Sequence, residues 1–209
     1  MSEAYYTIQH EGRDELTISR SRFISHIKPA ATEEAAVSFI EDVRKAHWSA
    51  AHNVWAYKLL SGSERCSDDG EPRGTAGFPV LEVLRKEGVL DAAVVVTRYL
   101  GGVKLGTGGL SRTYAQCAHI ALSAGKVIRR RPYLSFTIKT DYPCAVKIQH
   151  EFSRRGYLLR DTVYGESVFL KVLVPPDEKE ALYSLTAELT SGVGVLTAHP
   201  DEYLDFPEE

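Results

Sequence analysis

The fold is decided by the stretch Arg98-Tyr99-Leu100-Gly101-Gly102-Val103-Lys104-Leu105-Gly106-Thr107-Gly108-Gly109. Directly before it, Ala92-Ala93-Val94-Val95-Val96 is a short apolar and partly β-branched run, which is typical of a buried strand. Directly after it, apolar residues between Leu110 and Ala124 recur at helical spacing. The stretch is therefore predicted to be a glycine-rich turn between a buried strand and a helix.

This predicted turn has the composition of an anion site. Glycines let several backbone N–H groups point the same way, and the positive end of the following helix dipole favours an anion. Glycines are equally typical of a strand packed tightly against a helix, so both interpretations stay open. The candidate ligand-binding residues here are Arg98, Tyr99, Gly101, Gly102, Lys104, Gly106, Gly108, Gly109 and Arg112.

Two conformational predictions follow for the turn. At least one of its glycines should have a positive φ, because a glycine enters the left-handed region without a Cβ penalty. Val103, Lys104 and Leu105 should be extended, with Lys104 pointing opposite to its two apolar neighbours. Lys104 and Arg98 would then lie at the mouth of the anion site.

Length and composition limit what the chain can be. Its 209 residues are enough for one large or two small domains, and 44% hydrophobic residues supply a real core. No run of about 18 apolar residues occurs, so no membrane span is predicted. The N-terminus lacks a secretory signal pattern and the three cysteines are widely spaced, so we expect a cytoplasmic protein.

Charge is distributed unevenly along the chain. Residues 1–131 carry three more basic than acidic side chains, whereas residues 132–209 carry six more acidic than basic ones. The shift favours two domains, 1–130 and 131–209, joined by Arg129-Arg130-Arg131-Pro132 as a linker. The net charge of −3 argues against a general polyanion binder, and any nucleic-acid surface is expected on the first domain.

Periodicity and turn residues predict the elements of the first domain. Before the buried strand we expect a hairpin of Tyr5–Ile8 and Glu15–Ser19 around a turn at 11–14, a strand over 21–27, a helix from a Thr32 cap to His47, a strand over 52–59, a polar loop over 67–77 and a helix over 78–86.

After residue 132 the predicted order is β-α-β-β-α-β, the ferredoxin-like plan. Strands over 133–139, 157–164, 167–174 and 193–203 alternate with helices over 145–155 and 178–190. The tail 205–209 is expected to be frayed. The predicted fold class is α+β with two domains.

The polar loop carries a second group of candidate residues. Asp68, Asp69 and Glu71 offer three carboxylates to a divalent cation, but their spacing is not that of an EF-hand and Arg73 can neutralise one of them. A solvated acidic turn explains the same residues, and we predict no metal.

His52 can join these carboxylates in a hydrolase or transferase site, although a structural histidine explains it equally simply. The chain contains no Walker loop, dinucleotide fingerprint or G-x-S-x-G elbow. No cofactor and no catalytic residue is therefore predicted.

Four stretches carry a resemblance to a known family: Ser21-Arg22-Phe23-Ile24, His52-Asn53, residues 67–77, and residues 94–106. Together they closely resemble the IMPACT family and its bacterial YigZ/YvyE branch over about residues 15–125. The later segment is similar to the small C-terminal domain of the bacterial members.

The resemblance implies a ribosomal-protein-like β-α-β domain, similar to the second domain of a small-subunit ribosomal protein and to domain IV of elongation factor G, with a left-handed crossover. The resemblance also implies that the C-terminal ferredoxin-like domain is similar to another elongation-factor domain. Eukaryotic IMPACT proteins regulate translation by competing for an activator of a starvation-sensing kinase. Because this sequence begins with the family core, that pathway is not expected for it.

These interpretations give three function hypotheses. The leading one is a cytoplasmic, translation-associated regulator that binds RNA, the ribosome or a translation-factor partner through Arg98, Lys104 and Arg112. The second is a small hydrolase or transferase built from the acidic loop, His52 and the glycine turn. The third is a protein-interaction module that uses the ferredoxin-like sheet.

Overall fold

The chain forms two compact units in its computed structural model, which describes residues 3–207. One unit is Tyr5–Arg130 together with the chain end from Asp205, and the other contains Arg131–Leu204. Helices and strands are mixed in both, so the predicted α+β, two-domain fold class is confirmed. Every helix within residues 3–207 is too short or too polar to span a bilayer.

The first unit is built on a five-stranded antiparallel sheet with the strand order β2-β3-β6-β4-β5. The buried strand predicted from the sequence is β6, at the centre of this sheet. The elements of the unit are β1 (Tyr5–Ile8), β2 (Gly12–Ile18), β3 (Ser21–Pro29), α1 (Glu33–Ala46), β4 (His52–Lys58), β5 (Glu64–Ser67), α2 (Gly77–Lys86), β6 (Ala92–Tyr99) and α3 (Gly106–Gly125).

Both faces of β6 are covered, which explains its continuous apolar sequence. Val94 and Val96 pack into a core with α2 and α3, whereas Ala93 and Val95 pack into a second core with α1. Because side chains alternate along a strand, the next residues follow the same rule. Arg98 therefore belongs to the α2/α3 face of the sheet.

Helix α1 forms where its sequence predicts. The Thr32 side chain caps it by accepting a hydrogen bond from the Ala35 N–H at 3.2 Å, and Glu33 and Glu34 occupy the first turn, where the helix dipole favours acids. It ends at Ala46, beside the predicted His47.

Two local predictions in this unit are wrong. Tyr5–Ile8 does not form a hairpin with the following strand: it pairs with residues 127–130, and Gly12–Asp14, predicted as a turn, begin β2. The short strand β5 is an element that the sequence did not predict. It is polar and partly exposed, and it forms by pairing antiparallel to β4.

The second unit has the predicted β-α-β-β-α-β order. Its sheet places β10 beside β7, then β9, then β8 at the edge. Asp141 caps the first helix, and Gly156 ends it in the left-handed region as predicted. The elements are β7 (Val127–Thr140), α4 (Tyr142–Arg155), β8 (Leu158–Tyr164), β9 (Val168–Val174), a 3₁₀ turn (Pro176–Glu178), α5 (Lys179–Leu189) and β10 (Val195–Pro207).

The predicted linker and frayed tail are also corrected. Arg129–Pro132 lie inside β7, because the backbone of residues 127–130 pairs with β1. Asp205–Pro207 belong to β10, and the Arg130 Nε donates to the Asp205 carboxylate at 2.7 Å. Residues 208–209 of the predicted tail lie outside the described residues.

Candidate functional site

The glycine stretch follows β6 as predicted, but helix α3 begins at Gly106, four residues earlier than expected. Gly106, Gly108 and Gly109 therefore form the first turn of the helix and are not in a loop. The prediction of positive φ is confirmed at Gly102 (φ 79°) and Gly106 (φ 68°). The extended prediction is wrong for Leu105, which is helical in conformation (φ −90°, ψ −18°).

Gly101 is required by a close backbone approach. A Cβ at this position would overlap the backbone of Arg20 and Ser21. The Gly101 N–H donates to the Ser21 Oγ at 3.2 Å, which ties the loop to the start of β3. The packing interpretation of the glycines thus holds at this position.

A buried ion pair lies directly beneath the loop. The Arg98 Nη1 donates to the Glu71 Oε1 at 2.6 Å, and the two side chains are only 6% and 3% exposed. The Tyr114 O–H donates to the same Glu71 oxygen at 2.7 Å. The Arg98 guanidinium also lies 5.3 Å from the Phe23 ring, so strands, loop and helix α3 all contribute to one polar cluster.

Burial of Tyr114 dominates its protonation. Loss of solvent raises the pKa of the Tyr114 phenol strongly, and its hydrogen bond to the Glu71 carboxylate raises the pKa further. The phenol is therefore a fixed donor to Glu71.

His52 reaches the acidic loop from β4. It lies opposite Arg98 in the sheet, and its Nδ1 is 2.8 Å from the Asp69 carbonyl oxygen. Because a carbonyl only accepts, Nδ1 carries the proton and donates it in this bond. The His52 Nε2 lies 3.9 Å from the Glu71 Oε2, which is close but beyond hydrogen-bond distance.

The three carboxylates of the acidic loop do not converge on one point. Asp68 accepts hydrogen bonds from the loop amides of Gly74, Ala76 and Gly77, whereas Asp69 accepts from the Asn53 N–H at 2.6 Å. Glu71 is held by Arg98. Within residues 3–207, no three His, Cys, Asp or Glu side chains are placed to share a metal ion.

Tyr99 lies on the opposite face of the sheet from Arg98. Its hydroxyl is 3.0 Å from the His47 Nδ1, and His47 in turn packs against the His26 ring with centroids 5.1 Å apart. Burial, with smaller effects from His47 and Arg13, lowers the pKa of His26 to about 4. The structure thus separates Tyr99 from the other candidate residues of the glycine stretch.

Of the remaining candidate cations, Lys104 and Arg112 lie near the start of α3, and Arg73 lies in the acidic loop. Lys104, Arg73 and Arg112 are exposed, and in the described part of the chain none has a carboxylate within 4 Å. The Arg112 Nη1 lies about 3.7 Å from the position of a Cβ on Gly108, so this guanidinium folds back over the first turn. Neutralisation of the acidic loop by Arg73 is not observed among the described residues; Arg98 pairs with Glu71 and Arg44 with Asp69 instead.

The first turn of α3 is the positive end of the helix dipole. Its N-cap position is Leu105, which provides no side-chain hydrogen bond, and no acidic residue occurs in the first turn. The sequence has no Asp or Glu anywhere between Asp91 and Asp141. Cations next to a helix N-terminus raise its energy. An anion bound there would lower it.

A cleft of about 450 Å³ opens beside this helix terminus. Its polar and charged lining residues are Glu71, Arg98, Lys104 and Thr107. The rest of the lining is glycine or apolar: Gly102, Gly106, Pro72, Leu100, Val103, Leu105 and Leu110.

Sequence reasoning missed Ser21 and Tyr114 as members of this site. Tyr114 falls within the helical pattern predicted between Leu110 and Ala124, and its ring packs in the core against Phe23, with centroids 5.6 Å apart. Only its hydroxyl reaches Glu71, 43 residues away in sequence. No periodic pattern signals such a long-range bond.

Family models match both parts of the chain. The model of the Impact N-terminal domain matches residues 19–122, and that of a domain of unknown function, DUF1949, matches residues 138–193. "IMPACT family member YvyE" of Bacillus subtilis is 39% identical over 194 residues, covering 92% of this chain and 89% of that protein. The chain belongs to the IMPACT family.

Other members of the family match over shorter lengths. "IMPACT family member YigZ" of Escherichia coli is 33% identical over 84% of this chain and 88% of its own. Human "Protein IMPACT" is 31% identical over 98 residues, which are 44% of this chain and 30% of that protein. A solved structure titled as a hypothetical protein matches 97% of this chain and all of its own, with 30% identity and a TM-score of 0.62.

Proposed function

We propose that this IMPACT family member is a cytoplasmic, translation-associated protein that binds the phosphate backbone of RNA, including RNA of the ribosome, at the start of α3. The observation that carries the proposal is the uncapped first turn of α3 with Lys104 and Arg112 beside it and no acidic side chain in that turn. Exposed lysine and arginine supply most of the affinity for a nucleic-acid backbone.

The buried Arg98 has a different role in this proposal from the one its sequence suggested. Glu71 neutralises its charge, and its side chain is 6% exposed. The phosphate contacts are therefore assigned to Lys104 and Arg112, both of which are exposed. Through its ion pair with Glu71, Arg98 holds the acidic loop against β6 and so fixes the cleft wall near these cations.

The test is a titration of a structured RNA with the full chain at two salt concentrations, followed by fluorescence anisotropy. Affinity should fall steeply with salt. Lys104→Ala and Arg112→Ala should each weaken binding with little sequence preference and reduce the slope of log K against log salt by about 0.7–0.9. Lys45→Ala, an exposed charge in the last turn of α1, is the matched control and should leave the slope unchanged. Absence of RNA binding at low salt would refute the proposal.

The same variants extend the test to a translation partner. Co-sedimentation with ribosomal subunits should weaken with Lys104→Ala and Arg112→Ala in the order seen with free RNA. Retention of both variants on the subunits, with only free-RNA binding reduced, would place the ribosome contact elsewhere and contradict the proposal for this surface.

A hydrolase or transferase is the second candidate, favoured by the 3.9 Å approach of His52 Nε2 to Glu71 Oε2 at the cleft wall. Because the His52 Nδ1 donates to the Asp69 carbonyl oxygen, Nε2 is the ring nitrogen left for proton transfer. Turnover of model phosphodiesters and esters by the wild type, lost in His52→Gln with the fold retained, would support an enzyme. No turnover of either phosphodiesters or esters by the wild type would refute an enzymatic function.

A further inference from the structure

The apolar half of the cleft is not used by a phosphate backbone. Leu100 is 61% exposed and Val103 is 43% exposed at its edge, although both are large apolar side chains. A cleft with an apolar wall and a few placed polar groups is the usual form of a site for a small organic group. The lining therefore indicates a ligand with an apolar body as well as an anionic end.

Arg98 supplies a second, independent sign of a ligand. The residue is only 5% exposed and lies in the cleft wall, yet its Nε is a buried donor with no hydrogen-bond partner within residues 3–207. Its Nη2 has only a long 3.5 Å contact with the Ser21 Oγ. A guanidinium has five N–H donors, and buried donors are normally satisfied, so Arg98 leaves a donor unused directly beneath the cleft lining.

The anionic end is assigned by the first turn of α3. The N–H groups of Gly106, Thr107 and Gly108 have no intrahelical acceptors, because they begin the helix. No heavy atom lies within 4 Å of a Cβ built on Gly102 or Gly106, so the backbone there is open to a close approach. Lys104 stands at the edge of the same cleft.

We propose that the cleft binds a terminal nucleotide through its phosphate monoester, with the phosphate on the first turn of α3 and the nucleoside against Val103, Leu105 and Leu110. This inference rests on the proposed RNA binding and narrows it to a chain end. A free nucleoside monophosphate shares the same chemistry, and the experiment separates the two sources.

The decisive variant is Gly108→Asp. An acidic residue at the third position of a helix interacts favourably with the helix dipole, so this change should raise thermal stability. The same carboxylate would stand where the phosphate is proposed to bind and would repel it. Its Cβ would meet only the Arg112 Nη1, at 3.7 Å. Gly108→Asn has the same shape without the charge and is the matched control. Val103→Ser probes the apolar wall.

The probes are one short single-stranded RNA with a 5′-phosphate, a 3′-phosphate or only hydroxyl ends, together with uridine 5′-monophosphate, uridine and inorganic phosphate. Wild type and Gly108→Asn should bind a phosphorylated end about tenfold more tightly than the hydroxyl form. Gly108→Asp should lose this preference. Val103→Ser should weaken uridine monophosphate but not inorganic phosphate.

The other possible outcomes distinguish the cleft site from the proposed RNA binding. Equal binding of the phosphorylated and hydroxyl RNAs overturns the inference and leaves RNA binding intact. Binding of uridine monophosphate that Gly108→Asp abolishes, without RNA binding, supports the cleft site and refutes the proposed function. Binding of inorganic phosphate as tight as that of uridine monophosphate overturns the apolar half of the inference. No binding of any probe overturns both.

Discussion

The Arg98 guanidinium and the Glu71 carboxylate form a 2.6 Å ion pair within the core of the first unit. Removal of one partner from a buried pair leaves an uncompensated charge, which costs about 3–5 kcal/mol. Arg98→Met should therefore lower the free energy of unfolding by about that amount. The double variant Arg98→Met/Glu71→Leu should lose less than the single one. Urea denaturation of both measures the difference.

Arg22 and Glu15 provide the matched control for this prediction. Their ion pair has the same N–O distance of 2.6 Å, but about half of each side chain is exposed. Arg22→Met should cost little, since water screens such pairs. An equal loss in both single variants would show that burial does not set the strength of the Arg98 pair.

Gly101 and Gly102 are adjacent, yet their replacement by alanine should fail for different reasons. A Cβ on Gly101 overlaps the backbone of Arg20, whereas Gly102 has open space and a φ of 79°. Gly102→Ala should cost about 1 kcal/mol in backbone strain. Gly101→Ala should cost more than that, because two backbone segments have to separate. Chemical denaturation decides, and equal losses would contradict the close approach.

His26 should make stability depend on pH in the acidic range. Its pKa is lowered to about 4 in the folded chain, from an ordinary value of 6.5. Between these values the unfolded chain binds a proton that the folded chain does not, so stability falls as the pH falls from about 6.5 to 4. The pKa of His47 is also lowered by burial, and it adds to the effect in the same direction.

The difference between wild type and His26→Gln isolates this dependence from that of the carboxylates. Stability curves measured at several pH values from 7.5 to about 4 should be less steep for the variant. Parallel curves would show that residue 26 binds a proton equally well in both states, contrary to its burial.

Much of the fold could be predicted because its signals are local. Thr32 caps the start of α1, and Gly156 ends α4. Pairing over long distances gave no such signal. The strand Tyr5–Ile8 finds its partner about 120 residues away in Val127–Arg130, so both the predicted hairpin and the predicted linker were wrong.

The candidate site was predictable in composition but not in arrangement. Glycine has a low helix propensity, so the sequence predicted a loop where α3 in fact begins at Gly106. Glycines are tolerated there because the first N–H groups of a helix need no intrahelical partner. Alternation along β6 puts Arg98 and Tyr99 on opposite faces of the sheet, although the sequence prediction grouped both in one site. The choice of Glu71 as the partner of Arg98 depends on tertiary packing, which no spacing encodes.

Asp68 caps helix α2 from outside the helix. Ala76, the residue at the N-cap position, has no side-chain acceptor, and the Asp68 Oδ1 accepts instead from the N–H groups of Ala76 and Gly77 at 3.1 and 2.8 Å. Its Oδ2 accepts from the Gly74 N–H at 2.7 Å. One carboxylate thus closes the loop that carries Glu71 and fixes the start of the helix that follows it.

Replacement of Asp68 should therefore loosen the loop and the helix start together. Asp68→Ala should lower the free energy of unfolding by about 1–3 kcal/mol, because charge-assisted bonds are lost and amides near the helix start become unsatisfied. Asp68→Asn retains one acceptor and should lose less. Amide hydrogen exchange should accelerate over residues 69–77 and stay slow over β6. The exposed Asp42→Ala in α1 is the control, and an equally small effect of all three changes would contradict the capping role, since a carboxylate that merely lies in solvent holds no amides in place.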